Sequence, residues 1–165
     1  MDRERQAAFA RIMEAHGGAL GRVADCYARE GADREDLSQE IGLAIWRALP
    51  RFRRECSERT FAMRIAHNRG LCFAFRRRRH AAEPERELAD PGPGPEEAVG
   101  AGQRRELLFS AIRALPVGLR QVLVLALEGL DHREIAEVVG ISENNVAVRC
   151  NRARAALRRL LEVAR

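Results

Sequence analysis

The sequence contains no lysine: all 29 of its basic residues are arginine. A GC-rich coding sequence leaves such a bias behind. It still has a physical consequence, because the planar guanidinium pairs bidentately with phosphates and guanine edges. Aromatic residues are scarce, with one tyrosine and one tryptophan, and Val or Ile rarely alternates with polar residues. An extensive β-sheet is therefore not expected. No apolar run approaches the ~20 residues needed to span a bilayer. The charged start, Asp2-Arg3-Glu4-Arg5, offers no signal-peptide core. A soluble, cytoplasmic chain with no membrane partner is expected. The four cysteines, Cys26, Cys56, Cys72 and Cys150, include no C-x-x-C pair and have no histidine beside them at ligand spacing. Neither a disulfide framework nor a zinc site is supported. His16, His67, His80 and His132 are scattered, and no His-Glu-x-x-His, Walker loop, GxGxxG turn or Ser/His/Asp grouping is present. No catalytic residue, cofactor or metal ligand is nominated, and an enzyme is not expected.

What is present is a 46% hydrophobic content, enough to pack cores, and a net charge of +5 that is unevenly spread. Residues 1–80 carry +6, residues 81–103 carry −5, and residues 104–165 carry +4. Two basic blocks flank an acidic connector. A basic balance favours a nucleic-acid partner only weakly on its own.

Helical spacing dominates both blocks. Residues 3–15 align Phe9, Ile12 and Met13, and residues 18–30 align Leu20, Val23, Ala24 and Tyr27. Residues 33–49 form a long helix that Pro50 helps to end, and residues 57–79 run into Arg76, Arg77, Arg78 and Arg79. The connector, residues 80–102, holds Pro84, Pro91-Gly92-Pro93-Gly94-Pro95, Gly100 and Gly102, which no helix crosses. It is expected to be extended and mobile. Helical segments follow at 103–114, 117–128, 132–139 and 143–162. The expected fold is all-α: an N-terminal helical bundle over 1–79, the linker, and a C-terminal helix-turn-helix module over 103–165.

The stretch from Asp131 to Ser142 is the most informative. Ile135 and Val139 face inward one turn apart, and Ala136 permits close approach of a second helix. Gly140 suits a left-handed helix end, Ile141 plugs the corner, and Ser142 suits the next N-cap. A short helix, tight turn and long helix place a recognition helix in the major groove. Phased at ~100° per residue, the long helix puts Val146, Cys150, Leu157 and Leu161 on one face. Asn144, Val148, Asn151 and Arg152 lie opposite, with Asn145 and Ala147 on the flanks. Amide and guanidinium groups are what adenine and guanine edges pair with. Arg149 and Arg154, at the margins, suit phosphates. The alternative is a plain helical hairpin with a solvated polar face.

The helix at 33–49 has two stripes. Leu37, Ile41, Ala44, Ile45 and Ala48 form the core side. Asp36, Gln39, Glu40, Leu43 and Arg47 form a second, with Trp46 at its edge. Taken alone, the second stripe is either solvated or a protein interface, and Trp and Arg favour the latter.

These residues resemble extracytoplasmic-function sigma factors of bacterial RNA polymerase. Asp33-Arg34-Glu35-Asp36-Leu37-Ser38-Gln39-Glu40, Trp46-Arg47-Ala48-Leu49-Pro50-Arg51-Phe52-Arg53 and Thr60 through Arg69 look like the family's region two. Leu119-Arg120-Gln121-Val122-Leu123 through Asn151-Arg152-Ala153-Arg154 is similar to region four. The resemblance implies that Asp36, Gln39, Glu40, Leu43, Trp46 and Arg47 dock on the clamp helices of core RNA polymerase. It implies that the loop Cys56, Ser57, Glu58, Arg59 and Thr60 captures a flipped base of the minus-ten element, with Asn68 beside the pocket. Arg64, Arg69, Arg76 and Arg77, with the rest of the Arg76–Arg79 run, would track phosphates, a solvated helix end being the alternative for the run. Asn144, Asn145, Ala147, Val148, Arg149, Asn151, Arg152 and Arg154 would read the minus-thirty-five element. Promoter DNA and core polymerase are the implied partners. Control by an anti-sigma factor, or by transcription of the gene, is left open. Gly42, Cys72, Phe61, Ala62, Ala147 and Val148 depart from the usual pattern. The competing readings are a stand-alone helix-turn-helix regulator, which needs a dimer surface, and a sigma-like decoy.

Overall fold

The computed structural model describes residues 2–29, 31–82 and 100–163. Seven α-helices and one 3-10 turn occur among them. Helix α1 spans Asp2–Tyr27, α2 Ala32–Ala48 and α3 Glu58–Ala82, with a 3-10 turn at Leu49–Arg51. Helix α4 spans Ala101–Ala114, α5 Val117–Leu127, α6 His132–Val139 and α7 Glu143–Val163. Most of the connector lies outside the described residues, and with it the expectation of an extended, mobile strap.

One helix, not two, fills residues 2–27. Gly17 and Gly18 sit inside it, and each costs ~1 kcal/mol relative to alanine, too little to break a helix anchored on both sides. Ile12 on one side of the pair and Leu20, Val23 and Ala24 on the other are all buried, and a fully buried aliphatic side chain stabilises by ~1.5–3 kcal/mol. Packing therefore overrides the local break. Gly31, at φ 90°, turns the chain into α2. Pro50 opens the 3-10 turn, where a missing N–H is tolerated.

Helices α1, α2 and α3 pack pairwise around Leu37, Ile41, Ile45, Met63 and Ala66. Leu115 is extended, as the residue before Pro116 must be, and it ends α4. The Pro116 carbonyl then accepts the amides of Leu119 and Arg120 and starts α5. Helices α4–α7 close around Ile112, Leu115, Leu123, Leu125, Ile135, Val146 and Cys150. The two bundles touch along α1 with α4 and α5, and along α3 with α5 and α6.

Candidate nucleic-acid and protein interfaces

The turn between α6 and α7 is built as its residues dictate. Asp131 caps α6: its carboxylate accepts the Glu134 amide at 2.8 Å, and Glu134 Oε2 accepts the Asp131 amide at 2.9 Å. The reciprocal pair is a capping box, a device whose sequence signature is the Asp-x-x-Glu spacing. Gly140 adopts φ 77°, and its amide bonds Ala136 O at 2.8 Å. Ser142 Oγ accepts the Asn145 amide at 3.2 Å and caps α7. One detail differs. Val138 is the buried partner of Ile135, while Val139 is only partly covered, because Val138 rather than Val139 faces the core.

Helix α7 buries Val146, Cys150 and Ala153. Asn144, Asn145, Val148, Asn151, Arg152 and Arg154 are exposed, and Ala147 and Arg149 are half-buried at the edges. Val148 is 40% exposed among amides and guanidinium groups, an apolar point within a polar face.

In the first bundle, Asp36, Gln39, Leu43 and Arg47 are exposed on α2. Trp46 is not free. Its ring meets Phe9 edge-on at 5.5 Å, the Arg5 guanidinium lies 4.2 Å from the ring, and Arg5 also donates to the Trp46 carbonyl. The tryptophan therefore joins α1 to α2 as well as edging the stripe. Glu40 accepts Arg76 Nη2 at 2.9 and 3.0 Å, and Asp33 pairs with Arg77 at 3.1 Å, so α2 holds the start of the arginine run. Between α2 and α3 runs a groove of about 520 Å³ whose lining includes Glu40, Leu43, Arg47, Phe61, Arg69 and Arg76. The groove thus unites residues expected to touch polymerase with residues expected to touch DNA. Arg51, part of the region-two stretch but given no role there, also lines it.

Of the expected loop Cys56–Thr60 only Cys56 and Ser57 precede α3, because the Ser57 cap draws Glu58, Arg59 and Thr60 into its first turn, and this segment is closed in. Ser57 caps the helix, its Oγ accepting the Thr60 amide at 3.0 Å and standing 2.8 Å from Thr60 Oγ1. Thr60 is 3% exposed, and its hydroxyl donates to Glu134 Oε1 of α6 at 3.0 Å. Arg59 donates to the Glu128 carbonyl. Glu58 accepts both guanidinium donors of Arg11, which holds its carboxyl below the usual range. Cys56 is half-buried and Ser57 exposed. Arg64 is half-buried, with Nε buried and without a hydrogen-bond partner among the described residues. Asn68, Arg69, Arg76 and Arg77 are exposed on α3.

Cys26 and Cys150 sit in the two cores, and burial pushes the Cys26 thiol up to about 12. Among the described residues no group of three His, Cys, Asp or Glu side chains is placed to hold a metal ion. No described helix is long and apolar enough to cross a membrane.

Two helical bundles, the second with an open helix-turn-helix face, define a helical DNA-binding architecture. Comparison with known proteins narrows it. Residues 12–80 match the model of sigma-70 region 2, and residues 105–157 match that of sigma-70 region 4. The RNA polymerase sigma factor CnrH of Cupriavidus metallidurans is 34% identical over 168 residues, covering 95% of this chain and 88% of the relative. The ECF RNA polymerase sigma factor SigM of Mycobacterium tuberculosis is 32% identical over 155 residues, covering 93% of this chain and 77% of the relative. The solved structure of CnrH in complex with the cytosolic domain of CnrY superposes with a TM-score of 0.69 at 29% identity, covering 96% of this chain and 90% of that one. The sigma factor RpoE of Bartonella quintana, in complex with the anti-sigma factor NepR, has the same fold, with a TM-score of 0.73 at 20% identity, covering 95% of this chain and 98% of that one.

The chain belongs to the sigma-70 family, within its extracytoplasmic-function group. It is a sigma factor that directs RNA polymerase to promoters, with core polymerase and promoter DNA as its partners. The stand-alone regulator is not favoured.

Proposed function

We propose that residues 1–79 bind core polymerase and open the minus-ten element, that residues 103–165 read the minus-thirty-five element, and that residues 80–102 join the two. Polymerase supplies the chemistry, and this chain, without catalysis of its own and working in the cytoplasm, supplies promoter sequence and melting. Asn144, Asn145, Ala147, Val148, Arg149, Asn151, Arg152 and Arg154 meet duplex DNA. Asp36, Gln39, Glu40, Leu43, Trp46 and Arg47 meet the clamp helices. Cys56, Ser57, Glu58, Arg59, Thr60, Arg64, Asn68, Arg69, Arg76 and Arg77 handle the melted strand. Extraction of a base costs a few kcal/mol, which edge contacts such as those of Asn68 help to offset. Backbone-tracking arginines hold the strand.

The observation that carries this reading is the division of α7: Val146, Cys150 and Ala153 lie in the core, while Asn151 and Arg152 stand in solvent. Guanidinium and amide groups held on a rigid, capped helix are suited to base edges. The solved relatives are complexes, CnrH with the cytosolic domain of CnrY and RpoE with the anti-sigma factor NepR. An equivalent regulator for this chain is part of the proposal.

The test is transcription in vitro. Purified chain and core polymerase are incubated with genomic DNA and the transcript 5′ ends are sequenced. Starts absent with core alone, and sharing two elements upstream, support the reading. A chain that binds DNA as a dimer and never engages core overturns it.

A further inference from the structure

We propose that a pocket where α1, α3, α4 and α5 meet is a binding site for a small phosphorylated ligand, held through its phosphate or diphosphate group. Arg77 and Arg78 of its lining belong to the arginine run read above as tracking phosphates. The other lining residues have no role assigned so far.

The pocket encloses about 200 Å³. Arg29 reaches it from just after α1, Arg77 and Arg78 from α3, Arg113 from the last turn of α4 and Arg120 from α5. Tyr27 and Phe73 wall it, and Val117 brings in the first turn of α5. No carboxylate lines it among the described residues. Two of the five guanidinium groups are matched outside the pocket: Arg77 pairs with Asp33 and Arg113 with Glu106. Arg29, Arg78 and Arg120 pair with no carboxylate among the described residues. The surplus charge is gathered round one cavity instead of being spread over a solvated face.

Arg120 anchors the site. It is 8% exposed, and its Nη2 donates to the Arg113 carbonyl and, at 3.1 Å, to that of Leu115. The guanidinium stands 5.6 Å from the centre of the Tyr27 ring. Its Nε is buried and has no hydrogen-bond partner among the described residues. A buried cation without a counter-charge is costly. Burial, with the like charges of Arg78 and Arg113, holds its pKa below the usual guanidinium range. An anion in the pocket offsets that cost. Pro116 gives α5 no side-chain cap and its first turn holds no acid, so the positive end of the helix adds to the field. Size then selects the ligand. Drug-sized molecules fill ~300–1,000 Å³, so this pocket takes a small anion or the phosphate end of a larger one. Guanidinium forks pair bidentately with phosphate oxygens. Duplex DNA is the poorer fit, because Tyr27 and Arg120 form a buried floor that a stiff double strand does not enter.

The test is titration calorimetry and thermal melting of the full chain with inorganic phosphate, pyrophosphate and ADP, against chloride at equal ionic strength. Pyrophosphate is expected to bind one to one and to raise the melting temperature, since an occupant of the folded chain stabilises it. Arg29→Ala removes an exposed guanidinium and is expected to weaken pyrophosphate about threefold or more. Val117→Glu places a carboxylate at the start of α5, inside the pocket, and is expected to weaken it about tenfold or more. Both variants should melt, without ligand, no lower than the parent by more than a degree or two, on the scale of a surface change. ADP binding tighter than pyrophosphate identifies a nucleotide as the source of the diphosphate, and equal or weaker binding identifies the inorganic ion. No saturable binding beyond the chloride control overturns the proposal. So does pyrophosphate affinity unchanged in Arg29→Ala, which reads the site even where Val117→Glu fails to fold. If pyrophosphate does not bind while Arg29→Ala loses affinity for duplex DNA, the arginines are a DNA-backbone contact and the proposal has failed.

Discussion

Gly70 of α3 lies directly against the ring of Tyr27 of α1. A Cβ at residue 70 would stand 2.4 Å from Tyr27 Cδ2, and both residues are buried. The two longest helices of the first bundle cross here, and only a hydrogen atom fits between them. Gly70→Ala is expected to destabilise the chain by ~1–3 kcal/mol through overpacking, despite the better helix propensity of alanine.

Gly42 gives the opposite sign. It lies in the middle of α2, and a Cβ there would meet Phe9 Cζ at 4.0 Å, ordinary contact. Gly42→Ala is expected to stabilise by ~0.5–1 kcal/mol, because the backbone entropy is reduced without a clash. Thermal melts of the two variants beside the parent check both. A gain for Gly70→Ala would contradict the close crossing.

Burial holds His67 neutral. It is 2% exposed, its Nδ1 stands 3.4 Å from the Tyr27 hydroxyl, and desolvation pushes its pKa down to about 4 from 6.5. Between pH 6.5 and about 4 the unfolded chain binds a proton that the folded chain refuses. The stabilisation is therefore complete above pH 6.5 and declines as the pH falls, by ~3 kcal/mol in all. Denaturant titrations from pH 7 to pH 4.5 are expected to show this loss, and His67→Gln should flatten the slope. An equal slope in the variant would place the pH dependence elsewhere.

The two proposed interfaces should separate by mutation. Arg152→Ala is expected to weaken binding to a duplex minus-thirty-five element on the order of tenfold, the scale of one bidentate base contact, while core binding persists. Leu43→Asp, on the exposed stripe of α2, is expected to do the reverse. Leu43 is the cleaner probe than Trp46, whose ring also ties α1 to α2 through Phe9 and Arg5. Loss of both functions in either variant, with folding intact by circular dichroism, would contradict two separate interfaces.

Local signals were legible in the sequence. Gly140, Ser142 and the apolar phase of α7 announced the helix-turn-helix, because left-handed glycine and N-cap serine follow from backbone chemistry alone. Pro116 and Pro50 marked helix boundaries for the same reason. The division of α1 into segments 3–15 and 18–30 does not hold, since the propensity cost of Gly17 and Gly18 is outweighed by burial of Ile12 and Leu20, which depends on residues distant in sequence. The grip of Arg22 on Glu128, 106 positions apart, had no local signature. Nor did the burial of Thr60 against Glu134, although the capping box that positions Glu134 was readable in Asp131-x-x-Glu134.

The central claim is that one face of α7 chooses promoters while the first bundle opens them. Sequencing of transcript 5′ ends made by core polymerase with the parent chain, and with Arg152→Ala, tests it directly. The account predicts that the variant's aligned promoters lose base preference at one minus-thirty-five position and keep the minus-ten element. Alignments that are unchanged, or that lose the minus-ten element instead, would contradict it.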